Sequence, residues 1–323
     1  DPGEWYGVAA PSTSTPLRDL VEQGARVSPS RMESFEECGL NWAISALGGD
    51  TVRPPTAGIG TIIHEAMEQV PDGELTRLRA VLAEHWPELD FETAWIGRKE
   101  RRKADIFIDR LHSYLTRVAD DGGRVVESEA EFRFAVTLGD DAPAAAEITP
   151  PRVVPVDSAG DEPHALITGY IDRVEVYPPG AGEHAPARAR GWEAMPGDGE
   201  HVVVVDLKTG KRDKESDDGV ADHAQLAAYQ IAVQEGLVSG APAEELGGAR
   251  LVIVSKTLAK SDFRVAHQHR LDEDTRAAFL GRVAHAARGM SAGAFTAQVE
   301  AHCADTQRGI NPCRIHTVPA VSA

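Results

Sequence analysis

Asp206 and Lys208 stand two apart at the end of the run His201–Lys211, H-V-V-V-V-D-L-K-T-G-K. Residues two apart on a strand project from one face, so the acid and the lysine converge while Leu207 turns away. A carboxylate can hold a divalent cation, and a neighbouring ammonium can position or polarise an attacking water. Together they supply what phosphodiester hydrolysis needs. The same pair would also serve as a strand-end ion pair before the Thr-Gly turn, because D-x-K is a common tripeptide. A second acid, Asp172, interrupts the apolar run Ala165–Val176, A-L-I-T-G-Y-I-D-R-V-E-V. Two carboxylates are the minimum contribution to a Mg2+ that keeps several waters and accepts a phosphate oxygen. A salt bridge to Arg173 is the plainer use of Asp172. Downstream, D-H-A-Q-L-A-A-Y-Q (Asp222–Gln230) puts Gln225 and Tyr229 four apart, one turn above each other on a helix. A Gln can hold a metal-bound water or a phosphate oxygen, and a Tyr hydroxyl can orient the Gln. An amphipathic helix with Leu226, Ile231 and Ala232 on its apolar side would contain the same pair.

The surrounding elements must bring these residues together. Four consecutive valines predict a strand buried on both faces over Val202–Leu207. Leu166–Val176 has strand character too, and the Pro/Gly/Ala-rich stretch 178–200 between them reads as a long hairpin loop. Adjacent strands so joined carry Asp172, Asp206 and Lys208 to one rim. Further strands are expected over Val125–Val136 and Arg250–Ser255. Helices are expected from a capped start at Ser28 or Ser30, over Gly60–Gln69, Glu74–His85 and Ile96–Val118, and finally over Glu273–Met290. Residues 1–27 are Pro/Ser/Thr-rich and read as a linker from a preceding domain. Residues 28–323 then form one domain, with mobile insertions near 139–162 and 178–200. The architecture is α/β: a helical N-terminal layer, a central mixed sheet carrying the site, and flanking helices.

In order along the chain, G-Y-I-D-R-V, V-V-V-V-D-L-K-T-G and H-A-Q-L-A-A-Y-Q resemble the RecB-type branch of the PD-(D/E)xK nucleases. S-P-S-R-M-E-S-F-E-E-C (Ser28–Cys38) is similar to that family's opening helix. G-I-G-T-I-I-H-E-A-M-E (Gly58–Glu68) is similar to its histidine motif. The resemblance implies a restriction-endonuclease-like fold and a Mg2+ or Mn2+ held by His64, Asp172, Asp206 and the Leu207 carbonyl. It makes Asp172, Asp206 and Lys208 catalytic, supported by Gln225 and Tyr229. Read without the family, His64 is more simply a satisfied core histidine. The linker-like start adds a likeness to actinobacterial helicase–nucleases of the AddAB/AdnAB type, which process double-strand breaks. That implies a helicase upstream in the same chain, a second helicase–nuclease subunit, and single-stranded DNA as substrate. A catalytically inactive module that guides DNA or braces a partner, and a stand-alone defence nuclease, are the alternatives.

Many relatives hold a [4Fe–4S] cluster with one cysteine in the first helix and three near the C-terminus. This chain has three cysteines, Cys38, Cys303 and Cys313, so a full set of four thiolate ligands is impossible. Either His316 or His302 completes the set, or the site has decayed, or the three cysteines and one histidine hold zinc. Three unrelated thiols would look the same.

Composition limits the class. With 323 residues, 42% of them hydrophobic, one large or two ordinary domains can form. Three cysteines exclude a disulfide-built secreted scaffold. No apolar run approaches a membrane span and no signal-like segment opens the chain, so a cytoplasmic bacterial protein is expected. A net charge of −18, from 33 basic and 51 acidic residues, argues against a free-standing nucleic-acid binder. A basic channel can still exist locally, and the candidates are R-K-E-R-R-K (Arg98–Lys103) and Lys208–Lys214. The first of these would equally be a solvated helix face.

Overall fold

The structure, a computed structural model, describes residues 15–48, 56–139, 149–160, 162–179, 199–210, 216–256 and 262–296. Seven strands and eight α-helices are described. In chain order they are β1 (Ala25–Arg26), α1 (Pro29–Glu37), α2 (Gly39–Ala46), α3 (Thr56–Gln69), α4 (Leu75–His85), α5 (Ala94–Asp120), β2 (Arg124–Thr137), β3 (Arg152–Val154), β4 (His164–Tyr177), β5 (His201–Lys208), α6 (Asp217–Val220), α7 (Ala224–Gln234), β6 (Leu246–Ile253), β7 (Arg264–His269) and α8 (Glu273–Ser291). The strands form one sheet in the order β3-β2-β4-β5-β6-β7, with β1 pairing in parallel with β4. This is the α/β sheet with flanking helices that the strand and helix patterns anticipate. Among the described residues no helix is long and apolar enough to cross a membrane.

The chain divides into two compact units, one of Asp1–Asp50, Phe134–Ile167 and Leu280–Ala323, the other of Thr51–Arg133 and Thr168–Phe279. In the first, Ser28 caps α1 by accepting the Arg31 N–H, with Pro29 in the first turn, where its missing donor costs nothing. Cys38 ends α1 and begins α2, its Sγ accepting the Asn41 N–H. Arg282 of α8 grips Glu36 of α1 through two hydrogen bonds of 2.8 and 2.7 Å.

The second unit holds a hydrophobic core built from α3, α4, α5 and the strands they cover. β4 lies antiparallel to β5, β5 runs parallel to β6, and β7 closes antiparallel on β6. Val202–Val205 are fully buried, as a strand covered on both faces requires. One face bears Val203, Val205 and Leu207, packed against Ile62, Ile63, Leu78, Phe107, Ile108 and Leu111 of α3, α4 and α5. A parallel pair needs a crossover connection, and here that connection carries α7, which packs on β5 and β6.

Three sequence expectations change. The insertion expected over 139–162 contains β3 and a short 3-10 turn, because Val153 and Val154 pair with β2. β7 was not anticipated. α7 is not amphipathic: every residue from Leu226 to Val233 is buried, because the crossover is enclosed on all sides.

Candidate active site

The β4–β5 ladder sets the geometry. Arg173 faces Val205, so Asp172 and Asp206 stand one position past the last paired rung. Alternation puts both acids and Lys208 on one face and Arg173 on the other. The Asp172–Arg173 salt bridge considered from sequence therefore does not form. Arg173 pairs with Glu175 at 2.7 Å, while Asp172 Oδ2 accepts the Leu207 N–H at 2.7 Å.

Asp206 is almost fully buried, and Lys208 Nζ lies 2.8 Å from its Oδ2. The ammonium also donates to Gln225 Oε1 at 2.8 Å. Gln225 Nε2 donates to Tyr229 Oη at 2.7 Å, and Tyr229 donates to Asp206 Oδ1 at 3.3 Å. The four side chains close a ring in which the helix spacing of Gln225 and Tyr229 matches the strand spacing of Asp206 and Lys208. Phe132 of β2 seats Tyr229 edge-on, with ring centroids 5.7 Å apart.

His64 reaches the rim from α3. Its Nδ1 lies 2.9 Å from the Gly60 carbonyl, and its Nε2 lies 2.9 Å from the Leu207 carbonyl and 3.2 Å from Asp172 Oδ2. All three neighbours are acceptors, so both ring nitrogens must carry protons. Burial opposes that charge, but the bond to Asp172, its negative charge, the Gly60 carbonyl and Asp206 outweigh it and raise the pKa to about 9. Burial pushes Asp206 up to about 6 against the pull of Lys208, with Asp172 adding to the rise.

The same atoms form a donor set: Asp172 Oδ2, the Asp206 carboxylate, the Leu207 carbonyl and His64 Nε2. Among the described residues no three His, Cys, Asp or Glu side chains group as a metal site by themselves. Here the protonated Nε2 takes the space between Asp172 and Leu207, and the fourth donor is main chain. Asp206 Oδ2, buried and off the line of a hydrogen bond with Lys208, retains acceptor capacity. Mostly oxygen donors with one imidazole suit Mg2+ or Mn2+, provided the cation replaces the Nε2 proton. The set fits such an ion.

One neighbour escaped the sequence reading. Glu129 of β2 is half-buried and has a positive φ of 50°. Its carboxyl is raised by burial and then by the negative charge of Asp172, with Glu68 and Asp206 adding and His64 opposing. The alternation of Glu127, Glu129 and Glu131 was the available signal, since it puts three acids on one strand face.

The sequence matches the PD-(D/E)XK nuclease superfamily over residues 26–185 and 195–309. The chain belongs to that superfamily. Members are in general metal-dependent nucleases. No curated protein matches the sequence. Cys38 is buried at the α1–α2 junction, where its sulfur acts as a helix cap. Cys303, Cys313, His302 and His316 lie outside the described residues, and nothing among the described residues supports an iron–sulfur or zinc site at Cys38.

Proposed function

We propose that this domain hydrolyses DNA phosphodiesters with Mg2+ or Mn2+, on single-stranded DNA delivered by a helicase in a helicase–nuclease that processes double-strand breaks. The convergence of Asp172, Asp206 and Lys208 on one rim, with the ammonium held by Gln225, carries this reading. Asp172, Asp206, the Leu207 carbonyl and His64 would hold the cation, with the Gly60 carbonyl fixing the His64 ring through Nδ1. When bound, the cation supplies positive charge where the phosphoryl and leaving oxygens gain negative charge. Lys208 donates to the attacking water and holds it in line with phosphorus. Tyr229 and Gln225 hold the Asp206 carboxylate and the Lys208 ammonium in place. The water oxygen bonds to phosphorus as the bond from phosphorus to the ester oxygen breaks; the water releases one proton to solvent and the departing oxygen takes one up. An inactive bracing module is the weaker reading, because such a module needs neither acid nor lysine and this chain keeps all three.

Asp206→Ala and Lys208→Ala should each abolish Mg2+- or Mn2+-dependent cleavage of a labelled single-stranded oligonucleotide while the folded circular-dichroism spectrum persists. Cleavage at a near wild-type rate by either variant overturns the assignment.

A further inference from the structure

The basic run on α5 divides into two groups. Arg101 pairs with Asp105 and lies over the Trp86 ring at 5.1 Å, and Lys103 pairs with Glu100 and lies over Phe107 at 5.3 Å. These two are structural. Arg98, Lys99 and Arg102 are exposed and form no ion pair among the described residues. With Trp95 they follow the spacing i, i+3, i+4, i+7, so all four lie on one face of the helix. Trp95 is 59% exposed, an expensive way to present so large an apolar ring unless something covers it.

At the foot of this face opens a cavity of about 470 Å3 whose lining includes Trp86, Leu89, Asp90, Phe91, Arg98 and Arg101. The Trp86 and Phe91 rings stack there, with centroids 5.4 Å apart and planes 26° apart. α3 stands between the cavity and the strand end that carries Lys208. A side chain on Gly58 would collide with Leu89 of the cavity, and one on Gly60 would meet Thr209, the residue after Lys208. Those glycines are two residues apart, so they face opposite sides of the helix.

We propose that this face of α5 and its aromatic cavity form a stacking platform for the single-stranded DNA that the domain cuts; the proposal rests on the nuclease reading above. Charge complementarity names the occupant. Unpaired cations interleaved with aromatic faces are the two elements that bind a single strand, the cations through phosphates and the rings through bases. A duplex keeps its bases stacked inside and would leave Trp95 and the cavity unused. On a chain of net charge −18, three unneutralised cations on one helix face also mark where a polyanion can approach.

The test uses the full chain in metal-free buffer, so that binding is read without cleavage. Binding of a short oligothymidylate is followed by fluorescence anisotropy and tryptophan quenching. Trp95→Ala should weaken it about ten-fold, and Trp95→Phe, which keeps a ring to stack on, should recover most of the loss. The triple variant Arg98→Ala/Lys99→Ala/Arg102→Ala should lower the slope of log affinity against log salt by about 2, since each phosphate contact on a single strand contributes about 0.7. Unchanged affinity in Trp95→Ala with an unchanged slope in the triple variant overturns the platform. An equal loss on a duplex of the same length overturns it too. Hydrolysis of thymidine 5′-p-nitrophenyl phosphate with Mn2+ separates the two readings. That ester is too small to reach α5, so all these variants should cleave it at the wild-type rate. No hydrolysis by the wild type would defeat the nuclease reading, and the oligonucleotide measurements would still decide the platform.

Discussion

Removing the charge of Glu175 should destabilise the domain more than any change at the acidic rim. Glu175 is fully buried, on the opposite face of β4 from Asp172. Its Oε1 accepts from Arg173 Nε at 2.7 Å, and its Oε2 accepts from the Tyr114 and Tyr177 hydroxyls at 2.9 and 2.6 Å. Arg250 lies 3.8 Å from Oε2, over the Tyr177 ring at 4.9 Å. One carboxylate thus serves two buried guanidiniums, and Arg173 also donates to the Pro71 carbonyl just beyond α3. Glu175→Gln keeps the volume but removes the negative charge that both arginines face. It also supplies only one acceptor oxygen where three donors and a second guanidinium point. Breaking a buried pair in this way costs about 3–5 kcal/mol. Against a total stability of roughly 5–15 kcal/mol that is a large share. At about 2–4 °C per kcal/mol for a unit of this size, the melting temperature should fall by roughly 6–20 °C. Differential scanning fluorimetry and urea unfolding would read it, with Arg173→Met in the Glu175→Gln background recovering part of the loss. A Glu175→Gln protein within about 1 kcal/mol of wild type would refute the claim that this carboxylate neutralises the two arginines.

At the rim the expectations reverse, since Gln225→Ala should lower cleavage up to about a hundred-fold, by freeing the Lys208 ammonium, with little change in melting temperature; a rate near wild type would remove Gln225 from the site. Gly248 sits at φ 128° where the β5–β6 register shifts, and a Cβ there would come within 2.5 Å of the Gln268 carbonyl, so Gly248→Ala should cost several kcal/mol by urea unfolding or fail to fold. His267 is held near pKa 3 by burial, with the Arg250 and His269 charges adding to the depression, so it stays neutral in the fold while the unfolded chain takes its proton below about 6.5. Stability should therefore be constant above that pH on this account and fall by about 1.4 kcal/mol per unit between roughly 6.5 and 3; His267→Gln should flatten that part of the profile, and parallel wild-type and variant curves would reject the assignment.

What the sequence made legible follows from how local each signal is. The valine run needs only its own composition to declare a doubly covered strand, and two-residue alternation then aims Asp206 and Lys208 together. The Gln225–Tyr229 spacing is equally local. β7 is different. In Arg264–His269 the buried residues include His267 and Gln268, and a polar pair reads as loop. Gln268 is tolerated inside because its amide donates to the Val220, Ala221 and His223 carbonyls, contacts made 45–48 residues away that no window can contain. β1 and β3, at two and three residues, are too short to carry a period. Glu129 has a positive φ, which the alternation of Glu127, Glu129 and Glu131 does not reveal.

The charge illustrates the same division between counting and placing. A net of −18 weighs every residue equally, and by that measure the chain should repel a polyanion. Placement undoes the sum. The excess acids that matter for chemistry are buried at the rim, where Asp172 and Asp206 face the imidazole of His64 and the ammonium of Lys208. The cations that matter for approach are the three that the phase of α5 turns outward, while Arg101 and Lys103 are spent on neighbouring carboxylates and rings. From R-K-E-R-R-K alone the two groups cannot be separated, because the phase of the helix is set by where Ala104, Phe107 and Ile108 must go to reach the core. Burial chooses the face, and the face chooses which charges a nucleic acid can meet.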